Sequence, residues 1–151
     1  MNTMKEIEFY KMVAAGNDFV VVDNRKGQVT DPKRLAREVC DRHHSVGADG
    51  LLLLESSKAA DYKTRIFNAD GSEAEACGNG FRCVALLAHE KLGFPARQTF
   101  ESLGGKVDAQ VNGERVRVRL MDPQDFKDWE KIQVAGRELH YYFLRVGVPH
   151  A

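Results

Sequence analysis

At 151 residues the chain is long enough to bury a real core, and one domain is the default expectation. Its 22 basic and 22 acidic side chains cancel and are interspersed, which argues against a nucleic-acid partner or a basic membrane-binding face. Three cysteines, an odd number at irregular spacing, do not form a disulfide framework and fit a reducing compartment. Neither the Cys77–Cys83 spacing nor the adjacent His43-His44 pair matches a zinc motif, so no metal is expected.

The first ten residues, M-N-T-M-K-E-I-E-F-Y, lack a continuous apolar core, and runs such as Leu51 to Leu54 are far too short to span a bilayer; a cytoplasmic location is expected. Ile7 to Val13 and Phe19 to Asp23 carry β-branched and aromatic residues on either side of a turn-rich loop, Ala14 to Asp18, and predict a hairpin with Asn17 at its tip. Thr30-Asp31-Pro32 is a helix-start signal, followed by Leu35, Val39 and Cys40 at helical spacing, so a helix over roughly 32–42 should lie on the outside of a sheet. His43 and His44 follow as surface or capping residues. Gly47-Ala48-Asp49-Gly50 then leads into Leu51 to Leu54, a buried strand.

The stretch from Arg65 to Cys83 carries the chemistry. A strand-like run, Tyr62 to Phe67, meets the Asp70-Gly71 turn signal, and Cys77-Gly78-Asn79-Gly80 opens a helix, Phe81 to Lys91. Cys77 is thus predicted at a helix N-terminus, where unpaired N–H groups and the helix dipole favour an anion, either a thiolate or a substrate carboxylate. Gly78 and Gly80 leave room for a small anion at the backbone, and the polar Asn68 and Asn79 lie close in sequence. Cys40 and Cys83 read instead as small buried hydrophobes.

The helix after Cys77 is apolar nearly all round and must be enclosed. Strands on both sides of it in sequence predict an α+β fold in which a curved, mixed and largely antiparallel sheet wraps a central apolar helix. Gln98–Ser102, Lys106–Val111 and Arg115–Leu120 supply three further strands. In the last, Val116, Val118 and Leu120 alternate with Arg115, Arg117 and Arg119, an exposed arginine face. The segment 121–125 breaks the pattern and is the expected boundary between a first domain, 1–120, and a linker with the first strands of an incomplete second one, 121–151. There, Lys131–Val134 and Leu139–Val146 form a hairpin around Ala135-Gly136. Tyr141, Tyr142 and Phe143 are expected along an unpaired edge, in a tail that is mobile or paired with another polypeptide.

The run A-D-G-S-E-x-x-x-C-G-N-G-x-R-C at 69–83, with G-N-D-F at 16–19 and G-A-D-G-L at 47–51, closely resembles the N-terminal half of diaminopimelate epimerases. The resemblance runs from about Phe9 to Ala151, half the family's usual length. It implies a cofactor-independent isomerase interconverting LL- and meso-diaminopimelate for lysine and peptidoglycan synthesis. Cys77 is then one of two acid/base cysteines, and His150, in the G-x-P-H stretch, is its partner base. Asn17 contacts substrate, and Asn68, Gly78 and Asn79 complete the candidate binding set. Gly50 stands where many members carry glutamine, and Val148 where some carry asparagine.

Inverting an α-carbon without a cofactor requires one group to remove a proton from one face and another to deliver a proton to the opposite face. The sequence stops before the family's second cysteine. On a helix Cys77 and Cys83 are about 9 Å apart along the axis, and Cys40 belongs to another helix, so neither replaces it. The chain therefore reads as half a site: a fragment, a truncated product, or one piece of a split enzyme. Its expected partners are the small-molecule substrate and a C-terminal half, a second polypeptide or a second copy. A non-catalytic binding or assembly domain, and a related amino-acid racemase, are the competing readings.

Overall fold

The computed structural model describes residues 6–151; residues 1–5, which begin the stretch read above as lacking an apolar core, lie outside them. The described residues form two sheets. The larger is built from β1 (Tyr10–Ala14), β2 (Asn17–Asp23), β3 (Gly50–Glu55), β4 (Tyr62–Asn68), β6 (Arg97–Ser102), β7 (Gly105–Asn112) and β8 (Arg115–Arg119) in that spatial order, with the short β5 (Glu73–Ala74) hydrogen-bonded to β4. Neighbours are antiparallel except β2 with β3 and β4 with β6.

Burial explains the sequence patterns. Phe19, Val21, Leu52, Leu54, Tyr62, Ile66 and Phe100 face the central helix α2 (Gly78–Leu92), which contributes Phe81, Val84, Ala85, Leu87 and Ala88 to the same core. On the opposite face Val20, Val22, Leu51, Leu53 and Phe67 pack under α1 (Pro32–Val39) against Ala36 and Cys40. Strands buried on both faces read as unbroken apolar runs, which is why Phe19–Val22 and Leu51–Leu54 show no alternation. At the far edge only one face is covered: Val107, Ala109 and Val111 are buried, while the arginines of β8 point to solvent. The sheet curls so that both of its edges, β1 and β8, reach α2. Two cores at right places thus hold one helix inside and one outside, as the patterns predicted.

Several boundaries differ from the sequence expectation for identifiable reasons. Asn17 is not at the hairpin tip: Ala15 and Gly16 alone form the turn, both at positive φ (50° and 80°), and Asn17 opens β2 opposite Ala14. Such a two-residue turn matches the twist of the strands it joins. Helix α1, capped by Asp31 through a 3.0 Å bond from the Arg34 N–H, ends at Val39 rather than near residue 42. The returning chain takes over the freed carbonyls, with Gly47 N–H donating to Val39 and Ala48 N–H to Cys40. His43 and His44 do not cap that helix; both backbone N–H groups donate to Asp41 Oδ1, at 2.8 and 3.1 Å, in a local turn.

The second sheet has the order β11 (Val148–His150), β10 (Arg137–Val146), β9 (Gln124–Val134). The hairpin around Ala135-Gly136 is found, but β9 starts well before Lys131. Asp125 and Trp129 adopt positive φ, the pairing with β10 shifts register twice, and these bulges break the period-2 pattern that would have revealed the strand. Tyr141, Tyr142 and Phe143 lie on β10, the central strand of the three, not on an unpaired edge. No residue of this sheet is buried; Phe126 stacks on Tyr142, and Trp129 meets the same tyrosine edge-on, in the open.

Candidate active site

Cys77 is the N-cap of α2. Its backbone is extended (φ −150°, ψ 106°), and its Sγ accepts the Gly80 N–H at 3.4 Å in place of the usual serine or aspartate oxygen. The helix therefore starts three residues earlier than the apolar pattern alone suggested, because the cysteine itself supplies the cap. Phe81 N–H closes the first turn on the Cys77 carbonyl. The N–H groups of Gly78 and Asn79 have no acceptor among the described residues and are free for an anion.

The two glycines beside the cysteine have different reasons. A side chain on Gly80 would press on Leu52 at 3.1 Å, so this glycine lets the helix lie close against β3. One on Gly78 would meet nothing nearer than 3.8 Å, so the protein leaves this position open on its solvent side. Gly78, not Gly80, fits the role of giving a ligand access to the backbone.

Asn17, at the start of β2, reaches the cysteine from across the sheet: its Oδ1 lies 3.8 Å from Sγ and 3.5 Å from Asn79 Nδ2. Its Nδ2 donates to Asp49 Oδ2 at 2.7 Å. Asp49 in turn accepts from Arg42 at 2.9 Å, and Arg42 also clamps Asp18 at 2.7 Å, which Lys11 approaches to 2.8 Å from β1. The Asn17 amide and the Asp18 N–H hold Asp49 below the usual carboxylate range. Arg42, Lys11 and the Asp49 N–H do the same for Asp18 more strongly. At the other end Arg82 donates to Asn79 Oδ1, one turn along α2.

Asn68 ends β4, exposed, with its amide on Ser72 Oγ at 2.9 Å and its N–H on the Ser72 carbonyl. It has no hydrogen bond to Cys77, Asn17 or Asn79. Opposite it in register stands Gly50, where a side chain would strike the Phe67 carbonyl at 2.7 Å, so the backbone leaves no room for one. His150 is exposed on β11 and is not among the partners of the Cys77 sulfur. The same segment does approach the site three residues earlier: Gly147, at φ 70°, sits so close to Ala76 that an added Cβ would fall 2.8 Å from the alanine methyl. A cleft of about 270 Å³ lies there, lined in part by Glu75, Met121, Arg145 and Gly147.

The remaining cysteines are buried. Desolvation raises the Cys40 thiol, and burial, with Cys77 adding to it, pushes the Cys83 thiol up to about 11. Among the described residues no three metal-ligating side chains cluster, and no helix is long and apolar enough to cross a membrane.

Sequence reasoning missed the Arg42–Asp18–Asp49 cluster. Asp49 was visible inside G-A-D-G, but its partner in G-N-D-F becomes its neighbour only through the parallel pairing of Phe19 with Gly50, which no local pattern announces.

The family model described as diaminopimelate epimerase matches residues 9–125. A diaminopimelate epimerase of Caldanaerobacter subterraneus is 42% identical over 164 aligned positions, covering 95% of this chain and 58% of that protein. The one from Aquifex aeolicus is 40% identical, covering 95% and 56%. The chain thus spans somewhat more than half the length of these curated relatives. Among solved structures, a hydroxyproline epimerase from Agrobacterium vitis with bound trans-4-hydroxy-L-proline superposes with a TM-score of 0.70 at 17% identity, over 95% of this chain and 49% of that one, a likeness of fold. A Bacillus anthracis protein of the PhzF phenazine-biosynthesis family gives 0.63 at 26% identity, over 85% and 45%. With the sequence match spanning β1 to the start of β9 and the curled sheet around α2 shared with these structures, the chain belongs to the diaminopimelate epimerase family.

Proposed function

We propose that this chain supplies one half of the active site of an epimerase acting on diaminopimelate, with Cys77 as the acid/base on one face of the α-carbon. The observation that carries the reading is the placement of a half-buried thiol at the N-terminus of an enclosed helix, beside two unused N–H groups, in a chain of this family. The substrate's α-carboxylate would take the Gly78 and Asn79 N–H groups, where a helix N-terminus stabilises the charge that builds up as the α-proton leaves. The Cys77 thiolate accepts that proton to become a thiol; a second acid delivers a different proton to the opposite face, and the reverse reaction exchanges the roles. Asn17 would fix the substrate beside the sulfur, with Asn68 at the rim.

Cys40 and Cys83 are buried and cannot be that second acid. On this reading it comes from a further domain, a second polypeptide or another copy of the chain. We read residues 1–120 as the domain carrying Cys77 and 121–151 as the connection to a second domain. His150 would serve as the base for Cys77 once that domain is in place. Three unpaired thiols accord with a cytoplasmic location.

The test combines this chain with a polypeptide spanning the C-terminal part of a diaminopimelate epimerase and follows LL- to meso-conversion in D2O by chiral chromatography and mass spectrometry. Turnover with deuterium at the α-carbon, absent for the chain alone and abolished by Cys77→Ala, is the expected result. Undiminished turnover by the Cys77→Ala assembly refutes the assignment.

A further inference from the structure

We propose that Asp49 and Arg82 are positioning residues that orient the side-chain amides of Asn17 and Asn79 in one direction, so that Asn17 always turns its carbonyl oxygen toward the Cys77 sulfur. This deepens the reading of Cys77 as the acid/base and rests on it.

The argument is one of donors and acceptors. An asparagine amide can present either end to a neighbour, and an isolated one near a sulfur would do both. Here the chain of contacts begins at Arg82, whose guanidinium can only donate, and ends at Asp49, whose carboxylate can only accept. Arg82 N–H therefore fixes Asn79 Oδ1, which turns Asn79 Nδ2 to Asn17 Oδ1, and Asn17 Nδ2 is left to donate to Asp49 Oδ2. Reversing either amide would set two donors, or two acceptors, face to face. Arg42 holds Asp49 from the other side, so the anchor does not swing.

The consequence falls on the sulfur. Sγ receives the Gly80 N–H on one side and faces the Asn17 carbonyl at 3.8 Å on the other. A donor favours the thiolate and an acceptor favours the thiol. An acid/base that must hold a proton in one direction of reaction and lack it in the other is served by having both. A reversed Asn17 would offer the sulfur a second donor and leave its S–H without an acceptor.

The S–H stretching band of Cys77, isolated by subtracting the infrared spectrum of Cys77→Ala, reports this contact directly. In the parent protein it should sit at the position of a hydrogen-bonded thiol. Asp49→Asn, which keeps the shape but can donate as well as accept, should move the band toward that of a free thiol or split it. Arg82→Met, which keeps the aliphatic stem, should give a smaller shift in the same direction because Asp49 still holds Asn17. An unmoved band in a natively folded Asp49→Asn variant overturns the proposal. If that variant does not fold, NMR on the parent protein decides: a scalar coupling across the hydrogen bond from Asn17 Nδ2 to the Asp49 carboxylate carbon is expected, and its absence refutes the orientation. Both readouts need no turnover, so a failure to epimerise diaminopimelate leaves them standing.

Discussion

The two sheets of this chain are made of similar strands and differ in what lies against them. The larger one closes on α2 and buries Tyr62, Phe81 and Phe100 completely; the three-stranded one carries Phe126 and Trp129 against Tyr142 and in water. Strand pairing alone is present in both. What separates them is the packing of helices, which gives one sheet a buried interior and leaves the other with no buried residue.

The largest effect should come from comparing an aromatic in each. Phe100 stacks on Tyr62 at 4.9 Å between ring centres and meets Phe81 edge-on, so Phe100→Ala should cost about 3–5 kcal/mol in urea unfolding. Trp129→Ala, removing a side chain that is 58% exposed, should cost about 1 kcal/mol or less. Comparable losses would show that something covers the second sheet. Hydrogen exchange sharpens the same contrast: amides of Phe81 to Ala88 should exchange only with global unfolding, whereas those of β9 and β10 should exchange through local opening. Equal protection in a protein shown to be monomeric would contradict the division.

Within the first sheet the contrast can be read along one helix. Cys77 and Cys83 both belong to α2, one half-buried at its cap and one sealed in the core with its thiol pushed up. Limiting iodoacetamide at neutral pH should label Cys77 roughly tenfold or more faster than Cys83 or Cys40. Uniform labelling, mapped by mass spectrometry, would mean the core opens as readily as the cap.

The sequence made the enclosed helix legible because Phe81 to Ala88 offers no polar face, and it made Cys77 legible because glycines and asparagines interrupt an otherwise apolar neighbourhood. It also located the strands whose burial is uniform, such as Leu51–Leu54. It did not disclose the first half of β9, where Asp125 and Trp129 bulge out of phase, nor the short β5, whose two residues carry no pattern. Asn79 stood out as a polar residue beside Cys77 and Asn17 only through the family resemblance, while Asp49 and Arg42 were not singled out, since their contacts with Asn17 and with each other join strands and loops distant in sequence. The expected pairing of His150 with Cys77 came from the resemblance of the G-x-P-H stretch and from no local pattern; Gly147 lies against Ala76, while His150 is not among the hydrogen-bond partners of the sulfur.

The smallest predicted effect concerns acid. Asp18 and Asp49 are held below the ordinary carboxylate range in the folded state, so the unfolded chain binds more protons as pH falls through about 4. Their stabilising contribution is complete above that pH and disappears as pH falls through the lower folded values. Asp18→Asn should lose it already at neutral pH and show a shallower decline of stability on acidification in urea melts. The ion pairs of the second sheet, Lys131 with Glu138 and Arg145 with Asp125, lie in the open and should contribute no comparable slope. A parallel decline in both proteins would remove the distinction.

The two-residue turn at Ala15-Gly16 acts as a gauge for the chemistry. It sets the count that brings residue 17, and not residue 18, opposite the sulfur: a slip by one position would exchange an amide for a carboxylate there and repel a thiolate. Ala15 occupies a left-handed position in that turn, where asparagine would sit with less strain. Ala15 is therefore a place where an engineer can firm up the spacing between Asn17 and the Cys77 sulfur without altering either side chain.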